Sequence, residues 1–153
     1  MQQQPTYRTC ICCGRDNDVS LKMKWYNDTE AGLVRCTVTV PERFNGYPGV
    51  VHGGIVAAML DETAGRAVML DGDFMRFMVT LTLTVNYRRP TPTNTPLEVI
   101  GRLIRMTGRR AKVAGEIRLP DGTLTADCEE IVVKPPAEIF EKWKEELPWW
   151  RVE

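Results

Sequence analysis

The 153-residue sequence predicts an α+β domain in which an antiparallel sheet of about six strands curls around one long central helix, with a second helix at the C-terminus. Three observations predict it. Apolar and polar residues alternate in six separate stretches, as in strands with one buried face. A central stretch, VVHGGIVAAMLDETAGRAVML, is apolar or small all round the helical wheel from Ile55 to Leu70, so this helix is buried on most sides. No spacer is long enough to separate a pair of domains, so residues 1–153 form one unit, long enough for a core without staples.

The elements follow in order. Residues 1–19 are a Cys-containing lead-in, where Cys10, Cys12 and Cys13 crowd into CICCG. Five cysteines is an odd count, and a reducing cytosol disfavours disulfides. Cys10 and Cys13 have C-x-x-C spacing, but Cys12, Cys36, Cys128 and His52 supply no second spaced pair, so no metal site is expected. Strands are expected near Ser20–Tyr26 and Leu33–Val40, ahead of the buried helix. Four more follow, at Val79–Tyr87, Leu97–Met106, Ala111–Leu119 and Leu124–Val133, expected to form an antiparallel meander. LPDGTL marks one hairpin, since Asp-Gly tolerates positive dihedrals, and MTGRRA another. Residues 135–153 form a C-terminal helix and Trp-rich tail, with Ile139, Phe140, Trp143 and Leu147 at helical spacing. Trp143, Trp149 and Trp150 should pack on the body or a neighbouring copy, contributing stability and not chemistry.

Charge excludes several functions. Twenty basic and twenty acidic residues give no global field to recruit nucleic acid or an anionic membrane. No apolar run approaches the roughly 20 residues that span a bilayer, and the N-terminus lacks a secretory pattern, so the expected location is cytoplasmic.

Chemistry concentrates in the central helix. Gly53 and Gly54 stand at its start, where backbone N–H groups are unpaired and a partial positive charge suits a carbonyl oxygen becoming an oxyanion. Glu62 has Arg66 four residues on, the favourable order for a helical ion pair, worth a few tenths of a kcal/mol. Asp61 shares its side of the wheel with Ala57, Ala58, Ala64 and Gly65, none able to pair with it, which points it at a cleft. His52, the only histidine, reads equally as a cap at the helix start. No G-x-S-x-G elbow, metalloprotease or Rossmann pattern accompanies it. Gly53 and Asp61 lie eight residues apart, about 12 Å along a helix, too far to serve one small reacting centre. If both are catalytic, the helix start of one copy faces the acid of another across a two-fold interface.

His52-Gly53-Gly54 with Asp61 nine positions after the histidine, on a long apolar helix followed by strands, resembles the hotdog-fold acyl-CoA thioesterases, in the branch similar to phenylacetate-pathway enzymes. The resemblance covers roughly Leu33 to Lys134. It implies hydrolysis of an acyl-CoA or related thioester, without metal or cofactor, by a homodimer or a dimer of dimers. It also implies Gly53 N–H as oxyanion donor, Asp61 as nucleophile or general base, and His52 tuning the helix start with Gly54 beside it. Relatives often carry an asparagine six residues before the histidine. That position is Gly46 here, with Asn45 one further back. A hydroxyl residue on the following strand is common among them, for which Thr80, Thr82 and Thr84 compete.

Arg88 and Arg89 after the central strand, and Arg109 and Arg110 in a hairpin, are candidates for the CoA phosphates, because guanidinium bonds two oxygens at once. Met69, Phe74, Met75, Phe77 and Met78 are candidates for an adaptable acyl pocket. Two other functions suit such a fold, a non-catalytic acyl-CoA-binding module and a hydratase or dehydratase.

Overall fold

A computed structural model describes residues 1–153. In chain order the strands are β1 (Gln2–Gln3), β2 (Tyr26–Asp28), β3 (Leu33–Thr39), β4 (Asn45–Tyr47) and β5 (Val50–Val51). Helix α1 (Gly53–Gly65) follows and tightens into a 3-10 turn at Arg66–Met69. Then come β6 (Val79–Tyr87), β7 (Pro96–Thr107), β8 (Arg110–Arg118), β9 (Leu124–Val133) and helix α2 (Ala137–Trp143), which runs on as 3-10 through Lys144–Trp149.

Seven strands form one antiparallel sheet in the order β1-β2-β3-β7-β8-β9-β6, and β4 and β5 form a separate ribbon. The sheet curls around α1, whose Val56, Met59, Leu60, Thr63 and Ala64 are buried. At the contact a glycine is obligatory, since a Cβ on Gly101 of β7 would lie 2.3 Å from the Thr63 carbonyl oxygen. The expected helix and the four later strands stand within a few residues of their predicted bounds, and both hairpin turns carry a glycine at positive φ, Gly108 and Gly122.

Two expectations are corrected. The last four strands are not one meander. β7, β8 and β9 pair in sequence, but β6 lies beyond β9 at the sheet edge, and β3 takes the place beside β7. The connection RRPTPTNTP explains this, because its three prolines cannot make a tight hairpin and carry the chain across the end of the sheet. The strand expected at Ser20–Tyr26 begins only at Tyr26. Its alternating residues bond instead to the lead-in, Leu21 N–H to Ile11 O and Met23 N–H to Cys12 O, which buries Trp25 completely.

The chain ends meet over this core, with Thr6 bridging Arg151 in a single antiparallel pair. Trp150 donates Nε1–H to Phe74 O (2.8 Å) and stacks edge-on to Phe77, while Arg8 lies over Trp149 at 3.9 Å. No helix is long and apolar enough to cross a membrane.

Candidate active site

The start of α1 separates its two glycines. His52 is the N-cap, and its Nδ1 accepts the Gly54 N–H at 2.8 Å, so that nitrogen carries no hydrogen and the Gly54 donor is spent. Gly53 N–H has no acceptor among the hydrogen bonds of the chain, so it is the donor left at the positive end of the helix. Tyr87, at the end of β6, fixes this turn by donating its hydroxyl to Gly53 O at 2.7 Å. Tyr87 went unnoticed in the sequence, where it reads only as the last apolar residue of a strand. His52, Gly53, Tyr87, Arg88 and Arg89 share one open cavity of about 580 Å³. Arg88 is held there by Asp127 at 2.8 Å, while Arg89 forms no ion pair.

The other predicted residues lie elsewhere. Asn45 donates to Glu42 Oε1 at 2.8 Å, which ties the β4 turn, and it is not among the residues lining the His52–Gly53 cavity. Gly46 lets the chain pass His52, since a Cβ there would sit 3.3 Å from the His52 Cα. Arg109 and Arg110 are in the β7–β8 hairpin, beside the Val79 end of the sheet. From there to Tyr87 is the full length of β6, about 26 Å.

Asp61 lies two turns along α1, in a second cavity of about 230 Å³ whose walls include Glu62, Arg66, Met69, Phe77, Met78, Thr80, Glu130, Trp143 and Trp150. Thr80 Oγ1 donates to Asp61 Oδ1 at 2.7 Å. A bulge selects Thr80 over Thr82 and Thr84. Thr80 pairs with Val132 and Thr82 with Ile131, so Leu81 is an extra residue that turns Thr80 toward the helix while the other two threonines face out. Glu130 was also missed. It is 2 % exposed, on the inward face of β9, and its Oε1 is 2.9 Å from Thr80 Oγ1. Burial, followed by the charge of Asp61, pushes its carboxyl up to about 8.

Glu62 forms the expected pair with Arg66 at 3.1 Å, but not as a solvated one. Arg66 is 4 % exposed, lies 3.8 Å over the Trp25 ring and donates to Pro5 O. Burial raises the Glu62 carboxyl above its ordinary range, against the opposing pull of Arg66. The fold also brings Cys10, Cys12 and Glu62 together, their donor atoms within 4.8 Å of one another. That is one donor fewer than a structural zinc site uses, and Arg66 already neutralises the carboxylate.

The Met and Phe candidates divide. Phe77 is the hub of an aromatic cluster with Phe140, Trp143 and Trp150. Met69, Phe77 and Met78 line the Asp61 cavity, whereas Met75 is exposed beside Arg109 and Phe74 packs against the core. Besides packing on the body, the tail supplies Trp143 and Trp150 as walls of the Asp61 cavity.

Comparison with known proteins bears on the family and the fold. The model of the thioesterase superfamily matches residues 48–126. Acyl-coenzyme A thioesterase THEM4 of Xenopus laevis is 33% identical over 101 residues, covering 65% of this chain and 43% of its own. The chain therefore spans less than half the length of that relative. The crystal structure of a thioesterase superfamily protein superposes with a TM-score of 0.75 at 34% identity, covering 82% of this chain and 63% of that one. A phenylacetic acid degradation-related protein of Ralstonia eutropha JMP134 gives a TM-score of 0.65 at 27% identity, covering 74% and 86%. A helix wrapped by a curled antiparallel sheet, a free N–H at its glycine start and a family match spanning helix and sheet lead to one conclusion: the chain belongs to the thioesterase superfamily and has its hotdog fold.

Proposed function

We propose that this protein hydrolyses an acyl-CoA thioester at a site shared by two copies of the chain. Gly53 N–H of one copy polarises the thioester carbonyl. Asp61 of the other, with Oδ1 held by Thr80, uses Oδ2 to take a proton from the attacking water. Arg88 and Arg89 line the cavity that holds Gly53, where the anionic CoA phosphates would enter. The acyl group extends past Asp61 toward Met69, Phe77, Met78 and the tail tryptophans.

The observation that carries this reading is the division of the machinery along α1. The free donor and the carboxylate stand about 12 Å apart and line different cavities, which supports a reacting centre assembled from two copies if both groups act on one carbonyl. Strand β6 gives them a place to meet. Its outer edge is unpaired along nine residues, and Leu81 and Tyr87 are 49% and 56% exposed.

The test is hydrolysis of an aryl and aliphatic acyl-CoA panel by purified protein, with light scattering at assay concentration. Turnover by a dimer or a dimer of dimers is expected. Full activity from a monomer would exclude the shared site, and tight acyl-CoA binding without turnover would favour a binding module.

A further inference from the structure

Two carboxyl groups meet on one hydroxyl inside the Asp61 cavity. Thr80 Oγ1 is 2.7 Å from Asp61 Oδ1 and 2.9 Å from Glu130 Oε1. A hydroxyl has one hydrogen to give, so two ionised carboxylates here would leave one of them facing an oxygen lone pair with a like charge beside it. The geometry needs a second hydrogen, and burial decides which acid carries it. Glu130 is 2 % exposed, whereas Asp61 is only half-buried. Glu130 Oε2 is also the only buried side-chain nitrogen or oxygen without a hydrogen-bond partner, so an ionised Glu130 would bury charge with half its acceptors empty. The charged and titratable groups around it give no relief. Asp61 and Glu62 on α1 are acids, and Arg66 is engaged by Glu62. Arg76 across the cavity is held by Asp71 and Asp73, and Cys128, two residues back on β9, is a thiol.

We propose that Glu130 is a positioning residue of the reaction. It carries a proton and donates it to Thr80 Oγ1, which turns the Thr80 hydrogen onto Asp61 Oδ1 and leaves Asp61 the one ionised acid of the trio. Asp61 Oδ2 is then aimed and free for the water. This rests on the reading of Asp61 as the base. The upward shift of the Glu130 carboxyl to about 8 agrees with the geometry.

The experiment compares wild type with Glu130→Gln and Glu130→Leu by kcat against pH, and follows the Glu130 side-chain carboxyl by 13C NMR titration. Wild-type kcat should fall as pH rises through about 8, where Glu130 gives up its proton. The glutamine amide can still donate to Thr80, so Glu130→Gln should keep kcat within about threefold and lose that alkaline limb. Glu130→Leu has no donor and should lose roughly tenfold in kcat with little change in KM. Stability supplies a second readout. The folded chain holds a proton that the unfolded chain has released, so the melting temperature should decline as pH rises from the ordinary carboxylate range to about 8, and Glu130→Gln should show a shallower decline, keeping only the part that the raised Glu62 carboxyl supplies. An alkaline limb that persists in Glu130→Gln, or a glutamine variant as impaired as the leucine one, overturns the proposal. If wild type hydrolyses no thioester, the catalytic reading fails by itself. The NMR titration then decides separately whether Glu130 holds the proton, and ionisation in the ordinary carboxylate range overturns that too.

Discussion

Asp61 and Glu62 are neighbours in sequence with opposite surroundings in the fold. Asp61 meets a hydroxyl at a cavity wall, and Glu62 meets a guanidinium buried under Trp25. Asp61→Asn keeps the shape and removes the base, so kcat should fall by roughly 10²–10⁴ with little change in KM. Glu62→Gln should keep kcat. Its cost falls on stability, about 1.5–3 kcal/mol, because the buried Arg66 loses its charged partner. Steady-state kinetics and thermal melts of both variants check this, and an inactive Glu62 variant beside an active Asp61 variant would reverse the assignment. The Glu62–Arg66 pair was legible because it is local, four residues on one helix. The burial of Arg66 was not, since it depends on the far ends of the chain, Pro5 and Trp150, closing around it. Glu130 was hidden for a related reason: in CEEIVV two adjacent acids alternate faces, and only the register with β6 tells which one is inside.

At the scale of elements, the buried helix and the β7–β9 hairpins were legible because period and turn chemistry are local signals. The place of β6 at the edge was not, because a Pro-rich crossover fixes it and no repeat within the strand does. The tail shows the same division. Its apolar stripe predicted that it docks, but not that it docks on Phe77 beside Asp61. This separates two tryptophans. Trp150 bonds to Phe74 O and is half-buried, so Trp150→Ala should cost about 2 kcal/mol, below the 3–5 of a fully buried Trp, and lower the melting temperature by roughly 4–8 °C. Trp143 is 36% exposed, so Trp143→Ala should leave melting nearly unchanged and act on substrate choice, changing kcat/KM for bulky acyl groups more than for acetyl. Kinetics over the acyl panel together with melting curves test the pair. A Trp143 variant with unaltered preference would return the tail to a purely bracing role.

The whole molecule is where the division along α1 has its consequence, and mixed assemblies test it directly. Gly53→Pro is a clean probe. Proline is favoured at the first position of a helix, and His52 before it already has the extended backbone (φ −55°, ψ 136°) that a following proline requires. An added Cβ would meet only the Tyr87 ring, at an ordinary 3.6 Å. The substitution therefore removes the N–H and little else, and kcat should fall roughly 10²–10³-fold, as for loss of one oxyanion donor. Asp61→Asn removes the other half of the centre. In a hybrid of the two variants, one site combines the intact Gly53 of the Asp61→Asn copy with the intact Asp61 of the Gly53→Pro copy, and the other site has lost both. Doubly tagged hybrids should thus recover up to about half of wild-type activity per dimer, although each parent is nearly inactive. A hybrid as inactive as its parents would mean that Gly53 and Asp61 do not act across an interface. The separation along α1 would then need a different cause, such as a water or substrate bridge within one copy.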